Sequence, residues 1–327
     1  MCKPKEKNKE VFMRRIMFVW VFGVCLGLFS QVNPDTLPEK YVKKVILKID
    51  KPGRGPKEIG FRMWEGEPDY PTSIVADSDG RIYILDHLNN RVVVLDTLGK
   101  FIREIPVKVY EEASLEEIKK TPYGLAFAKL YGKEMYIKDD VIYIPVRDGF
   151  FVNSKLVKII KIYISQNWKV EEEKPSQYKL NSINLEIKGV KGKEVKLEDK
   201  KIEGYKAIKI MDIKTKETKV IKLPEPMSKI YIDQKGDIYA VNHGYYIAPA
   251  GKKYDENHPA EYSLVVKYSI KGKELARVKI PYSVGIPFIT GKGEIVALCR
   301  IPMIDTPQVP SHLNGMKVLL YRAGGRK

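Results

Sequence analysis

Residues 71–107 read PTSIVADSDGRIYILDHLNNRVVVLDTLGKFIREIPV, and the punctuation of this stretch decides the fold. Ser73 to Ala76 is a short apolar run. Asp77-Ser78-Asp79-Gly80 is then a turn whose glycine can take a positive φ. Arg81 to Leu85 forms a second run of β-branched and aromatic residues, ending at Asp86. His87-Leu88-Asn89-Asn90 is a second polar turn and Arg91 to Leu95 a third run. Asp96-Thr97-Leu98-Gly99-Lys100 turns the chain again before Phe101 to Val107. Strands of about five residues joined by tight turns make an antiparallel meander. One meander cannot bury both of its faces, so copies of it have to stack.

Weaker copies follow. Met135 to Ile144 repeats the first strand, turn and second strand, with Asp139-Asp140 at the turn, and Leu156–Ile164 and Trp168–Glu172 complete it. Ser182 to Leu223 is less regular but offers four strands, the last two at Tyr205–Met211 and Thr218–Leu223. The clearest copy is Ile230 to His243, with outer strands at Ser263–Tyr268 and Glu274–Ile280 around the Lys271-Gly272-Lys273 turn. The last is Pro287 to Val296 with Lys317–Tyr321, and it lacks a fourth strand. Tyr41–Ile49 is a strand without a blade of its own, and its Lys43–Ile49 part is expected to fill that place and close a ring. Five units are counted this way. Tyr110 to Lys120, with Ser114 as N-cap, reads as a short helical insert.

Pro71 before the first strand, Asp77 with Asp79-Gly80, Ile82-Tyr83-Ile84, Asp86, Asn89-Asn90-Arg91-Val92 and Asp96 with Gly99-Lys100 together resemble the NHL repeat, a blade of the β-propeller class. The resemblance implies an all-β propeller of four-stranded antiparallel blades over residues 41–327. It also implies six blades where five are counted.

Residues 1–30 read as a signal peptide or N-terminal anchor. Residues 1–15 carry six Lys or Arg against two Glu, and Ile16–Phe29 is an almost unbroken apolar run. About 14 residues suit a signal-peptide core better than a membrane span, which needs roughly 20. Met13-Arg14-Arg15 would begin a compact signal by itself, so the start is Met1 or Met13, and cleavage is expected near Ser30-Gln31. Residues 31–40 form a linker. The protein is thus expected outside the cytoplasm, periplasmic, secreted or tethered, with membrane contact only through that segment if it stays uncleaved. Cys2 and Cys25 fall in it, which leaves Cys299 as a lone buried thiol and rules out a disulfide framework in the domain.

The formal charge is +17, and residues 151–222 hold 18 Lys against 10 acids, a net +8 (18 − 10). Lysines alternating with apolar residues there read as solvent-facing positions that also discourage edge pairing. A patch for envelope polyanions is the other reading. Arg is absent from the stretch and no nucleic-acid motif occurs, so nucleic acid is not an expected partner.

His87 and His243 fall at equivalent places, after Leu85-Asp86 and Val241-Asn242, and equivalent loops of a propeller face one axial mouth. Histidines meeting there could hold a divalent metal, and this resembles the zinc-bearing lyase that makes peptide amides on an NHL propeller. The equivalent residue of the last unit is Arg300, and His258 and His312 lie off the repeat. Asp86, Asn89 and Arg91 can build a polar pocket or serve as ordinary turn and ladder residues. Asp77, Asp79 and Gly80 resemble fragments of a calcium loop without its remaining ligands. No nucleophile elbow, P-loop, HExxH or dinucleotide motif is present. The sequence therefore points to a monomeric, non-enzymatic binding propeller that takes a protein or envelope polymer on its loop face. The alternative is a metal-dependent hydrolase or lyase near His87 and His243.

Overall fold

Three of the sheets begin with one turn design. Asp77 N–H donates to the Arg81 carbonyl and Gly80 N–H to the Asp77 carbonyl, with Gly80 at φ +87°. Asp233 with Gly236 and Thr290 with Gly293 repeat both bonds. In the first turn, Asp77 Oδ1 accepts Arg81 N–H at 2.9 Å and Oδ2 accepts the Tyr83 hydroxyl at 2.7 Å. Asp233 does the same for Asp237 N–H and the Tyr239 hydroxyl. In the third turn Thr290 Oγ1 accepts Glu294 N–H, and Val296 replaces the tyrosine. An acid stands where a buried hydroxyl needs an acceptor; where the partner is valine, threonine suffices. The Asp77 carboxylate is thus engaged by backbone, Arg81 and Tyr83, which accounts for its calcium-loop look.

The computed structural model describes residues 39–49, 51–56, 58–64, 67–120, 128–149, 154–175, 193–198, 205–245, 261–301 and 315–324. The stretch expected to be a signal or anchor, and most of the expected linker, lie outside them. Strand β1 (Tyr41–Ile49) comes first, followed by a hairpin of β2 (Arg62–Trp64) and β3 (Glu67–Asp69). The first complete sheet is β4 (Ile74–Ala76), β5 (Ile82–Asp86), β6 (Arg91–Leu95) and β7 (Phe101–Pro106), paired in chain order. The second contains β8 (Tyr110–Glu112), β9 (Ala128–Tyr131), β10 (Tyr136–Lys138), β11 (Val141–Arg147), β12 (Leu156–Tyr163) and β13 (Lys169–Glu173), with helix α1 (Leu115–Lys120) between β8 and β9. The third is β14 (Lys193–Glu198), β15 (Tyr205–Asp212) and β16 (Thr218–Met227). The fourth is β17 (Lys229–Ile232), β18 (Ile238–Tyr245), β19 (Glu261–Tyr268) and β20 (Glu274–Pro281). The fifth is β21 (Phe288–Ile289), β22 (Ile295–Arg300) and β23 (Met316–Ala323), completed by β1. There Tyr41 lies opposite Ala323 and Ile49 opposite Met316, antiparallel. The expected closing strand is in place with the bounds read from the sequence, and its pairing with β23 begins at Tyr41 rather than Lys43.

Apolar clusters glue neighbouring sheets in sequence. Tyr83, Leu85, Val92 and Val94 of sheet one meet Ile142, Ile144, Ile160 and Ile162 of sheet two. Ile82, Ile84, Val93 and Leu95, on the opposite face of sheet one, meet Leu47, Val296, Leu298 and Val318 of sheet five. Sheet five in turn packs through Ile295, Ala297 and Leu319 on Tyr239, Val241 and Val265 of sheet four. Ile208, Ile210 and Ile221 of sheet three pack on Ile238, Ala240 and Val266 on the other face of sheet four. Burying both faces of sheets one and four is why their strands read as continuous apolar runs rather than as alternation. Among the described residues this gives five sheets of three or more strands, the number counted from the sequence. Residues 176–192 and 199–204, where part of the irregular copy was placed, lie outside them.

The second sheet corrects one expectation. Tyr110 to Glu112 is a strand rather than helix, because Asn90 Oδ1 accepts the Val109 and Tyr110 N–H groups and holds the chain extended against β9. The helix is confined to α1, where Ser114 and Glu117 form a reciprocal capping box.

Candidate functional site

The first strands of four sheets converge. Ser73 Oγ, just before β4, accepts Met135 N–H, just before β10, at 2.8 Å. The Lys229 ammonium on β17 lies 5.2 Å from the ring of Tyr136 on β10 and 5.2 Å from that of Tyr231. The Tyr231 hydroxyl donates to the Pro287 carbonyl at 3.2 Å, and its ring stands edge-on to Phe288 of β21 at 5.5 Å. Phe288 packs against the cores of the one–five, one–two and four–five sheet pairs. Leu85 N–H donates to the Ser73 carbonyl, and Lys229 lies opposite Val241. The starts of the inner strands therefore share one end of the molecule with His87 and His243. At this end, the mouth, Lys229, Tyr136 and Phe288 are partly exposed, and Tyr231, 8% exposed, is buried against Phe288.

Around the mouth the structure assigns the residues singled out from the sequence to separate groups. Asp86, Asn89 and Arg91 hold the 53–60 segment. Arg91, 1% exposed, ion-pairs Asp86 at 2.9 Å and Glu104 at 2.8 Å and donates to the carbonyls of Arg54, Gly55 and Glu58. Asp86 Oδ1 accepts Gly60 N–H, and Asn89 Nδ2 donates to the Gly53 carbonyl and to Asp86 Oδ2. All three act as the struts of a strap.

His87, 0% exposed, faces a cluster that sequence reasoning missed. Its Nε2 lies 3.1 Å from Asp69 Oδ1, which also accepts from Lys133 Nζ at 2.9 Å and from the Tyr131 hydroxyl at 3.4 Å. The His87 ring stands edge-on to Tyr131 at 5.5 Å and Tyr110 at 6.3 Å. Burial opposes ionisation of Asp69, but the His87 and Lys133 hydrogen bonds and charges prevail and hold its carboxyl far below the usual carboxylate range. His87 Nδ1, Asp69 Oδ2 and the Tyr110 hydroxyl are buried without a hydrogen-bond partner among the described residues. Asp69 enters from the end of the β2–β3 hairpin. Three-residue strands carry too little periodicity to be seen.

His243 has different company. Its Nδ1 lies 3.4 Å from Ser263 Oγ, which is 3.0 Å from Ser283 Oγ. Burial and then the charge of Arg300 push the imidazole below its ordinary 6.5. Arg300 Nε lies 3.0 Å from Glu261 Oε2 as an ion pair without in-line hydrogen-bond geometry. Burial raises the Glu261 carboxyl, with Arg300 opposing. The equivalence of His243 and Arg300 in the repeat thus becomes an electrostatic neighbourhood. Asn242 turns away to Glu225 and Ser228. Among the described residues no three His, Cys, Asp or Glu side chains gather as metal ligands, and His258 and His312 lie outside those residues.

The NHL repeat family matches residues 69–95, from Asp69 through the first three strands of sheet one. No curated protein matches the chain. Similar solved structures include a streptogramin B lyase, at 12% identity over 87% of this chain and 98% of that one, TM-score 0.29. Another is GH43B of a Bacteroides ovatus xyloglucan PUL, at 10% identity over 86% of this chain and 54% of that one, TM-score 0.39. A duf4221 family member from Bacteroides vulgatus shows 14% identity over 76% of each chain, TM-score 0.26. The repeat match and the stacked antiparallel sheets make this chain an NHL-like β-propeller.

Proposed function

We propose that this propeller is an exported, non-enzymatic binding protein that takes a protein or polymer partner at the end where its inner strands converge. One observation carries the reading. At the mouth the Lys229 ammonium lies over the rings of Tyr136 and Tyr231, with Phe288 beside Tyr231, and it has no acidic partner among the described residues. Aromatic anchors are enriched at recognition surfaces, and an ammonium without an acidic partner beside them offers a charged contact. The acids, histidines and arginines nearby are instead bound to one another or to backbone. Export is supported by the apolar run Ile16–Phe29 after a basic start.

The test is site-specific photo-crosslinking in cells, with the probe at Ser228, the exposed neighbour of Lys229, and, as control, at Val170 on the outer strand of sheet two. N-terminal sequencing of the extracytoplasmic fraction accompanies it. The expected result is a discrete adduct from the mouth position alone and a mature chain starting near Gln31. Adducts only from position 170, or a chain confined to the cytoplasm, would overturn the reading.

A further inference from the structure

We infer that the mouth contains a carboxylate-binding subsite centred on Lys229, suited to a carboxylate carried on a ring, as in a uronic-acid residue. This deepens the binding function proposed above and rests on it.

The unmatched ammonium gives the sign. Lys133 is matched by Asp69 at 2.9 Å. That leaves Lys229, with no carboxylate partner among the described residues, and Arg147, whose charge acts on the Tyr136 hydroxyl. Against them stands Glu134, the acceptor of that hydroxyl. Glu225, bonded to Asn242 at the same end, is a second acid, so the formal charges balance, and it is the Lys229 ammonium itself, unmatched by a carboxylate among the described residues, that favours an anion.

The chemistry of the donors agrees. An ammonium carries three N–H groups, and stacking on ring faces satisfies none of them as hydrogen-bond donors. Lys229 lies over two tyrosine faces, so its donors remain for a ligand oxygen. Lys229 is only half-buried, so a ligand can reach it. The partly exposed rings at this end are Tyr136 and Phe288, and such rings pack the apolar face of a ligand ring. Neither a bare ion nor a strongly hydrated chain would use them.

Calorimetric titration of the full protein with sodium glucuronate, glucose and acetyl-diglycine at low salt tests this. Wild type is compared with Lys229→Gln, Lys229→Ala and Lys279→Gln. Lys279 makes a comparable cation–ring contact with Tyr262, at 4.6 Å, and controls for loss of a lysine in general. We expect glucuronate to bind and glucose not to. Affinity should fall at least tenfold in both Lys229 variants, about 1.4 kcal/mol, and hold in the Lys279 variant. It should also weaken with added salt. Acetyl-diglycine bound as tightly, and lost in the same variants, supports the carboxylate subsite with a peptide end as its source. Wild-type affinity in both Lys229 variants, with unchanged thermal unfolding, overturns it, as does a wild-type protein that binds neither acid. If crosslinking at the mouth persists while both acids fail, the carboxylate inference alone falls. If both fail, the binding reading falls with it.

Discussion

Lys267 and Glu39 are 228 positions apart in sequence and meet at 2.7 Å. Lys267, 5% exposed on β19 of sheet four, also pairs with Asp237 at 3.0 Å and lies over the Tyr239 ring at 5.6 Å. Two residues after Glu39, the Tyr41 hydroxyl reaches that of Tyr239 at 3.3 Å and the Gly293 carbonyl at 3.2 Å. The body of β1 belongs to sheet five, but its entry is latched to sheet four. Closure of the ring therefore rests on two seams.

Glu39→Gln tests the latch. Burial alone would lower the Lys267 ammonium, and the hydrogen bonds to Glu39 and Asp237 outweigh it, so its pKa stands above the ordinary 10.5. Losing one charged acceptor should cost about 1.5–3 kcal/mol, read as a lower urea midpoint. An unchanged midpoint would mean that the latch forms no part of the folded state's stability.

The other side of the seam is tight against backbone. Gly99 takes φ +83°, and a Cβ there would lie 2.1 Å from the Ile46 carbonyl oxygen, at the bulge of β1. Gly80 takes φ +87°, but its nearest neighbour is the Thr97 methyl at 2.9 Å, which can rotate away. Gly80→Ala should cost about 1–2 kcal/mol for the left-handed backbone. Gly99→Ala should cost roughly 1–3 kcal/mol more, because β1 must shift. Paired melting curves decide it, and equal losses would sink the seam argument.

Arg91→Met should be among the most damaging single changes in sheet one. It removes the cation from Asp86, 0% exposed, and frees the carbonyls of Arg54, Gly55 and Glu58. A buried carboxylate left without its partner costs about 3–5 kcal/mol. Arg91→Lys restores charge without the planar fork and should fall between. Chemical denaturation ranks the three proteins.

Buried strands and glycine turns were legible because each signal is local. Asp77 to Gly80 and Ile82 to Leu85 state a turn and a two-sided strand within nine residues. The ring-closing β1 was legible by elimination, as a strand with no partner nearby. The mouth was not. Tyr136, Lys229 and Phe288 come from three sheets, and no local pattern announces that they meet. The Asp69–His87 contact was hidden for the same reason. The repeat pointed His87 toward His243, whereas burial gave each histidine partners from its own surroundings.

Cys299 offers a test of core burial. Burial pushes its thiol up to about 12, so almost no thiolate exists near neutrality. Alkylation mapped to Cys299 should be absent from the native protein over hours and complete in denaturant. Rapid native labelling would place β22 nearer the surface than the structure does.

Acid sensitivity should have two separable parts. The imidazole of His243 sits below its ordinary 6.5, because burial and the Arg300 charge disfavour its protonated form. As pH falls past about 6.5, the unfolded chain takes up a proton there that the folded chain refuses. Stability present above 6.5 is lost through the interval down to the lowered value. Asp69, held below its ordinary 3.8, contributes above 3.8 and loses that contribution only at lower pH. Glu261, raised by burial above its ordinary 4.5, acts in the opposite sense. It favours the folded state below 4.5, and that help fades as pH rises through its raised value. Urea midpoints measured from pH 7.5 to 5 should fall in the wild type and flatten in His243→Gln, while Glu261→Gln should steepen the fall. A His243→Gln profile as steep as the wild type's would assign the loss to groups other than this imidazole.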